Sequence, residues 1–159
     1  MNVAVLCVGR LREPGLRETA AEYRKRLRRY GSFEEVEVPD LPEPAKPTPA
    51  LLRQVMDAEA ERLLRALRPT DRVIALCVDG KTLSSEAFAA HLTALQAQGV
   101  PRTVLVIGGS LGLGEALLAR ADERLSLSAM TLPHQLARVV LWEQLYRACK
   151  IRAGERYHK

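Results

Sequence analysis

The stretch TVLVIGGSLGLG, residues 103–114, decides how this chain is read. Thr103 to Ile107 is a β-branched and leucine run, the composition of a central strand in a sheet. It opens into Gly108, Gly109, Gly112 and Gly114, positions without a Cβ where backbone N–H groups approach a ligand closely. Open α/β sheets bind ligands at the carboxyl ends of such strands. The order is GGxxGxG, not GxGxxG, and no acidic residue follows the next strand as a dinucleotide fingerprint requires.

Outward from this segment the apolar period alternates between that of a strand and that of a helix. Val3 to Val8 is a short apolar run closed by Gly9 and predicts a strand. Arg12 to Tyr30 follows with Leu16, Ala20, Tyr23 and Leu27 on one helical face. Phe33 to Val38 alternates imperfectly, as a half-buried strand. Residues 39–49 hold five prolines, which excludes helix and central strand and predicts an exposed loop. Pro49 then opens a helix that runs through Leu67. Arg72 to Val78 reads as a buried strand and Ser84 to Gly99 as a helix. Glu115 to Ala121 reads as a short helix and Arg124 to Leu127 as a short strand. From Pro133 to Arg152 the chain predicts a helix apolar around nearly its whole circumference, with Arg138, Glu143, Arg147 and Lys150 confined to a narrow stripe. Such a helix must be buried on more than one side. This alternation predicts one α/β domain over residues 1–159, with a mostly parallel sheet flanked by helices.

Composition narrows the class. With 47% hydrophobic and 27% charged residues, the balance is that of a soluble globular protein. No apolar run approaches the roughly 18–20 residues that cross a bilayer. The first residues carry no basic group before their apolar stretch and no small-residue cleavage signal, which predicts a protein that stays in the cytoplasm. Cys7, Cys77 and Cys149 are odd in number and form no CxxC pair, against both a disulfide framework and a zinc site. His91, His134 and His158 lack metal-ligand spacing, so no metal is expected. Net charge is +5, and its distribution is uneven. Arg10 to Tyr30 holds eight Lys/Arg against three Glu, and Arg138 to Lys159 six against two, whereas residues 31–137 are net acidic. Two basic segments distant in sequence either meet on one face to hold a polyanion or are solvated helix faces.

Two further motifs stand out in the sequence. Asp79-Gly80-Lys81-Thr82 invites a P-loop reading, but the glycine that the signature needs is Ala75. It reads as a turn, with Gly80 supplying a permissive φ and Lys81 exposed. Residues 125–134, LSLSAMTLPH, are apolar yet dotted with hydroxyls and end at a helix-initiating proline. Such a segment suits an adenine, read by backbone amides and packed by Leu and Met; core packing is the alternative.

Taken together, IGGSLGLG (107–114), LSLSAMTLPHQLARVVLWEQLYRA (125–148) and RAGERYHK (152–159) resemble the RlmH family of SPOUT-class ribosomal RNA large-subunit methyltransferases. The resemblance runs essentially end to end. It implies methylation of N3 of pseudouridine 1915 in 23S rRNA, with S-adenosylmethionine (AdoMet) as methyl donor and no metal. It also implies a SPOUT-type fold whose C-terminal part, approximately residues 72–159, forms a deep trefoil knot, an arrangement that chain connections almost never adopt. A homodimer packed through its C-terminal helices is implied as well, with rRNA in the ribosome as partner and no membrane. By motif match the AdoMet contacts fall on Leu76, Gly108 and the run Leu127, Ser128, Ala129, Met130, Thr131 and Leu132. The substrate side involves His134 and Arg156, and catalysis Arg147, Tyr157 and His158, the last two reaching the other subunit's pocket.

Methyl transfer needs the nucleophile in line with the S–CH₃ bond, and the N3–H of pseudouridine must lose its proton. His158 is the first candidate base, since an imidazole titrates near neutral pH. Arg147 or Arg156 would stabilise the developing anion. Two rivals stand beside this reading: a non-catalytic RNA-binding factor using the same basic faces, and a nucleotide-binding oxidoreductase built on the glycine loop.

Overall fold

The computed structural model describes residues 1–159. In chain order it runs β1 (Asn2–Val8), α1 (Pro14–Leu27), a 3₁₀ turn (Arg28–Tyr30), β2 (Ser32–Val38), α2 (Pro49–Ala66), β3 (Arg72–Thr82), α3 (Ser85–Ala97), β4 (Thr103–Ile107), α4 (Glu115–Arg120), β5 (Glu123–Ser126) and α5 (His134–Arg152). Local chemistry explains the helix starts. Pro14 and Pro49 sit in the first turns of α1 and α2, where a missing N–H costs nothing. Thr48 and Ser84 accept the orphan N–H groups of Leu51 and Ala87 as caps of α2 and α3.

All strand pairs are parallel, in the order β2-β1-β4-β3-β5. Side-chain alternation assigns the two faces. Val3, Val5 and Cys7 of β1 join Ile74, Leu105 and Ile107 in a core with α1, α3 and α5. Ala4, Leu6 and Val8 join Val73, Ala75, Val104 and Val106 in a second core under α2 and α4. Burial on both faces is why the central strands read as unbroken apolar runs. Helix α5 packs between α1 and α3, so its apolar circumference is satisfied largely within the chain. The two basic segments thereby lie side by side.

Three expectations need correction. Arg138 is not on an exposed stripe: it is fully buried, donating to Glu37 Oε1 at 2.5 Å and to the Gly9 carbonyl at 2.8 Å. Trp142 one turn on donates to Glu35 Oε2 at 2.7 Å. These contacts explain the imperfect alternation of β2, whose inward carboxylates receive α5. Next, residues 79–82 are not a turn after a finished strand, because β3 continues to Thr82. Leu76 and Lys81 both pair with Leu125, and the residues between them are extruded from the ladder. Gly80 is required there for space, not for a permissive φ: it has no positive φ, and a Cβ on it would lie 2.5 Å from the Leu125 carbonyl carbon.

Breaking a buried ion pair by removing one partner costs about 3–5 kcal/mol. Glu37 keeps a third of its side chain exposed and rehydrates, so Arg138→Ala should destabilise by about 3 kcal/mol, the lower end. Urea unfolding followed by the fluorescence of Trp142, the one tryptophan in the chain, measures this; a loss below about 0.5 kcal/mol, the scale of an ordinary surface change, would contradict the anchoring role.

Candidate functional site

The carboxyl ends of β4, β3 and β5 meet the start of α5 around a cleft of about 600 Å³. Small-ligand sites fall in the range of roughly 300–1,000 Å³. The three strands are parallel neighbours in the order β4-β3-β5, so their carboxyl ends open at the same edge of the sheet, where open α/β sheets bind ligands. Leu76, the last paired residue before the slip, and the extruded Cys77 and Val78 form one wall. Ile107, Gly108 and the glycine loop form the second. Leu127, Ser128, Met130, Thr131 and Leu132 form the third, closed by Pro133, His134 and Ala137. No acidic side chain lines the cleft.

The lining is an apolar box with few polar groups. Ser126 Oγ donates to the Ser128 carbonyl at 2.8 Å, and Ser128 Oγ accepts from Met130 N at 3.0 Å, which fixes the turn out of β5. Met130 and Val78 stand exposed at the rim. Burial, then the nearby Arg138 charge, lowers the pKa of His134, against a weaker opposite pull from Asp40. An adenine fits such a lining, the ring between Leu and Met side chains and the polar edge on backbone groups.

Behind the cleft, α2 presses directly on the glycine loop. A Cβ on Gly114 would lie 2.7 Å from the Met56 carbonyl oxygen, and one on Gly109 would lie 2.9 Å from Glu59 Oε2. Glu59 is buried, its Oε1 accepts from Leu41 N at 3.2 Å, and its Oε2 has no partner. Leaving a buried polar atom unpaired costs on the order of 1–3 kcal/mol. Burial raises the pKa of this carboxyl.

Of the residues assigned to AdoMet from sequence, the structure gathers Leu76, Gly108, Leu127, Ser128, Met130, Thr131 and Leu132 around this one cleft; Ala129 belongs to the same turn but does not line it. His134 lines it as well. Arg147, Arg156, Tyr157 and His158 do not line this cleft. Instead the C-terminal tail folds back on its own chain. The Tyr157 ring lies under the Arg147 guanidinium at 4.7 Å and edge-on to Tyr146 at 4.9 Å. Tyr157 Oη donates to Glu143 Oε1 at 3.1 Å, and burial pushes its pKa up. His158 Nε2 lies 2.6 Å from Glu86 Oε1, and Arg147 Nη1 lies 3.3 Å from Nδ1. A guanidinium only donates, so Nδ1 carries the lone pair and Nε2 the proton. The Glu86 carboxyl is held down at about 2, first by its own backbone N–H at the start of α3 and then by His158. Glu155 pins the tail base through Lys150, Arg29 and Tyr30.

Sequence reasoning missed Cys77 and Val78, which it read only as the end of a buried strand, and the carboxylates Glu86 and Glu143 that receive the tail. Glu86 was read only as a helix-start residue. Its spacing from the tail, 72 residues, carries no local signal.

A parallel sheet with a cleft at the carboxyl ends of β4, β3 and β5 is the architecture of a ligand-binding α/β protein. The family described as "Predicted SPOUT methyltransferase" matches residues 1–158. Over all 159 residues, the full length of each relative, the chain is 49% identical to "Ribosomal RNA large subunit methyltransferase H" of Listeria monocytogenes serotype 4b (strain F2365). It is 48% identical over the same span to the protein so named from Bifidobacterium adolescentis (strain ATCC 15703 / DSM 20083 / NCTC 11814 / E194a). The chain belongs to this ribosomal RNA large subunit methyltransferase H (RlmH) family of SPOUT methyltransferases.

Cys77 provides a chemical probe of the cleft. Burial and then the Asp79 carboxylate push its pKa from 9.0 to about 11, which leaves roughly 100-fold less thiolate than a free thiol at pH 8. Iodoacetamide should therefore label Cys77 far more slowly than free cysteine, and a ligand in the cleft should slow it further. Labelling at the free-thiol rate, read by peptide mass spectrometry, would contradict this placement.

Proposed function

We propose that this protein methylates N3 of a pseudouridine, position 1915 of 23S rRNA, in the large ribosomal subunit, with AdoMet as methyl donor and no metal. The observation that carries this reading is the apolar cleft at the ends of three parallel strands, in a chain of the RlmH family. The name shared by the relatives supports large-subunit rRNA as substrate. Leu76, Gly108 and residues 127–132 hold the donor, which supplies an electrophilic methyl on a sulfonium. The apolar walls exclude water from that methyl, and the fixed loops keep the target nitrogen in line with it; such positioning is worth several orders of magnitude in rate.

The working unit is a homodimer, each chain a single domain over residues 1–159, with residues 72–159 threaded as a trefoil knot. Leu136 is 38% exposed on α5, next to the half-buried Val140, an apolar strip that a second α5 would cover. The tail residues stand away from their own chain's cleft, which supports their serving the partner's. His158 is the base that takes the N3 proton, and Nδ1 accepts it once the contact with Arg147 opens. Arg147 or Arg156 stabilises the anion on the base. Substrate recognition is helped by cations that form no ion pair: Arg10, Arg17, Lys25 and Arg28 are exposed along the α1 segment, where Arg12, Arg24, Arg26 and Arg29 are engaged by carboxylates. Phosphate contacts of this kind make affinity fall with salt.

Titration calorimetry with AdoMet tests the reading: saturable binding near one per chain is expected, and no detectable binding would favour an RNA-binding factor instead. General-base catalysis contributes about 10²–10⁴-fold, so His158→Ala should lower kcat at saturating AdoMet by about 10²-fold or more. Turnover equal to the parent protein would remove His158 from that role.

A further inference from the structure

The glycine loop is held from behind by one face of α2. Met56, Glu59 and Ala60 lie three and four residues apart, so they share that face. Met56 and Ala60 abut Gly114, with hypothetical Cβ distances of 2.7 and 2.9 Å, and Glu59 abuts Gly109. The Pro-rich segment 39–48 is tied to the same place. Leu41 N donates to Glu59 Oε1 at 3.2 Å, Ser110 Oγ donates to Glu43 Oε1 at 2.6 Å, and Arg62 of α2 donates to the Pro39 carbonyl at 2.8 Å. Glu59 thus stands where helix, Pro-rich segment and glycine loop converge.

Its chemistry is unusual for a packing residue. Glu59 is 5% exposed and forms no ion pair, and its Oε2 lies against Gly109 with no hydrogen-bond partner. Asp40 and Glu43 face it with like charge, and Arg62 with opposite charge from one turn along its own helix. An apolar side chain would fill this place without an orphaned oxygen, so the carboxyl is there for what its two ends touch. Gly109, in turn, has no positive φ. Its lack of a side chain serves the close approach of Glu59, not a special turn.

We propose that Glu59 is a positioning residue for the donor-binding loop: its side chain sets the depth of residues 108–114 in the cleft by bracing Gly109 against Leu41. This rests on the reading of the cleft as the AdoMet site. Glu59 touches neither the cleft nor the reacting atoms, so its effect passes through the loop to donor binding and not to the chemical step. A glutamine of the same shape keeps the acceptor for Leu41 N and the contact at Gly109; an alanine keeps neither.

The test compares Glu59→Ala and Glu59→Gln by amide hydrogen exchange of the unliganded protein and by calorimetry with AdoMet. In Glu59→Ala, exchange across 108–114 should quicken about tenfold, as for a segment that opens locally. Its AdoMet affinity should fall about tenfold, with kcat at saturating donor within about twofold, the pattern of lost donor binding without lost chemistry. Glu59→Gln should match the parent protein in all three. Unchanged loop exchange in Glu59→Ala, or equal damage in both variants, would overturn the proposal. If Glu59→Ala fails to fold, Gly109→Ala decides: its methyl meets Oε2, and shortening the acid with Glu59→Asp should restore AdoMet binding. No restoration would overturn it. If the parent protein binds no AdoMet, the reading of the cleft falls, while hydrogen exchange still decides what Glu59 does to the loop.

Discussion

The contact on which the site depends is the close approach of Gly80 to the backbone of Leu125. Because no Cβ intervenes, β5 pairs with β3 twice, once at Leu76 and again at Lys81. The residues between must leave the ladder, and they become a wall of the cleft. A ladder in simple register would run β3 straight past β5, and the sheet edge would present no such wall. The cleft is therefore a by-product of a register slip held open at one glycine.

Around that slip, rigidity comes from both faces of the sheet. On one face α5 is fastened through fully buried Arg138 to Glu37 and the Gly9 carbonyl, and through Trp142 to Glu35. This fixes the helix start, and with it His134 and Pro133 at the cleft mouth. On the other face α2 backs the glycine loop at Gly109 and Gly114. The loops that line the cleft thus carry little of their own stability and borrow it from buried helices, as binding loops on rigid scaffolds do. Buried ion pairs do this at a cost in desolvation, offset here by the hydrogen bonds from Arg138 Nη1 to Glu37 and from Nη2 to the Gly9 carbonyl, while Nε has no partner.

Much of this was legible in the sequence. The period of each segment located every strand and helix, because parallel strands buried on both faces and helices with one apolar face leave strong local signals. Two walls of the cleft were legible as separate motifs, since glycines after a strand and hydroxyls before a helix-starting proline are local features; on the third, Leu76 came only from the family resemblance. The misreadings have a common physical origin. Arg138 looked like a surface charge because its partners Glu37 and Gly9 are more than 100 residues away. Gly80 looked like a turn because the backbone it accommodates, at Leu125, is distant in sequence. Glu59 drew no notice inside an ordinary amphipathic helix. Nothing local marks a residue whose role is to meet another segment, and the acidic landing points of the tail, Glu86 and Glu143, escaped for the same reason.

The most direct test of the account is methyl transfer itself. Purified protein, AdoMet carrying a labelled methyl and large ribosomal subunits lacking the modification would be incubated, and the rRNA digested and mapped by mass spectrometry. The account predicts one label per subunit, on N3 of a single pseudouridine, and none when the protein is omitted. Label on another base, or a protein that binds AdoMet and ribosomes yet transfers no methyl, would contradict it.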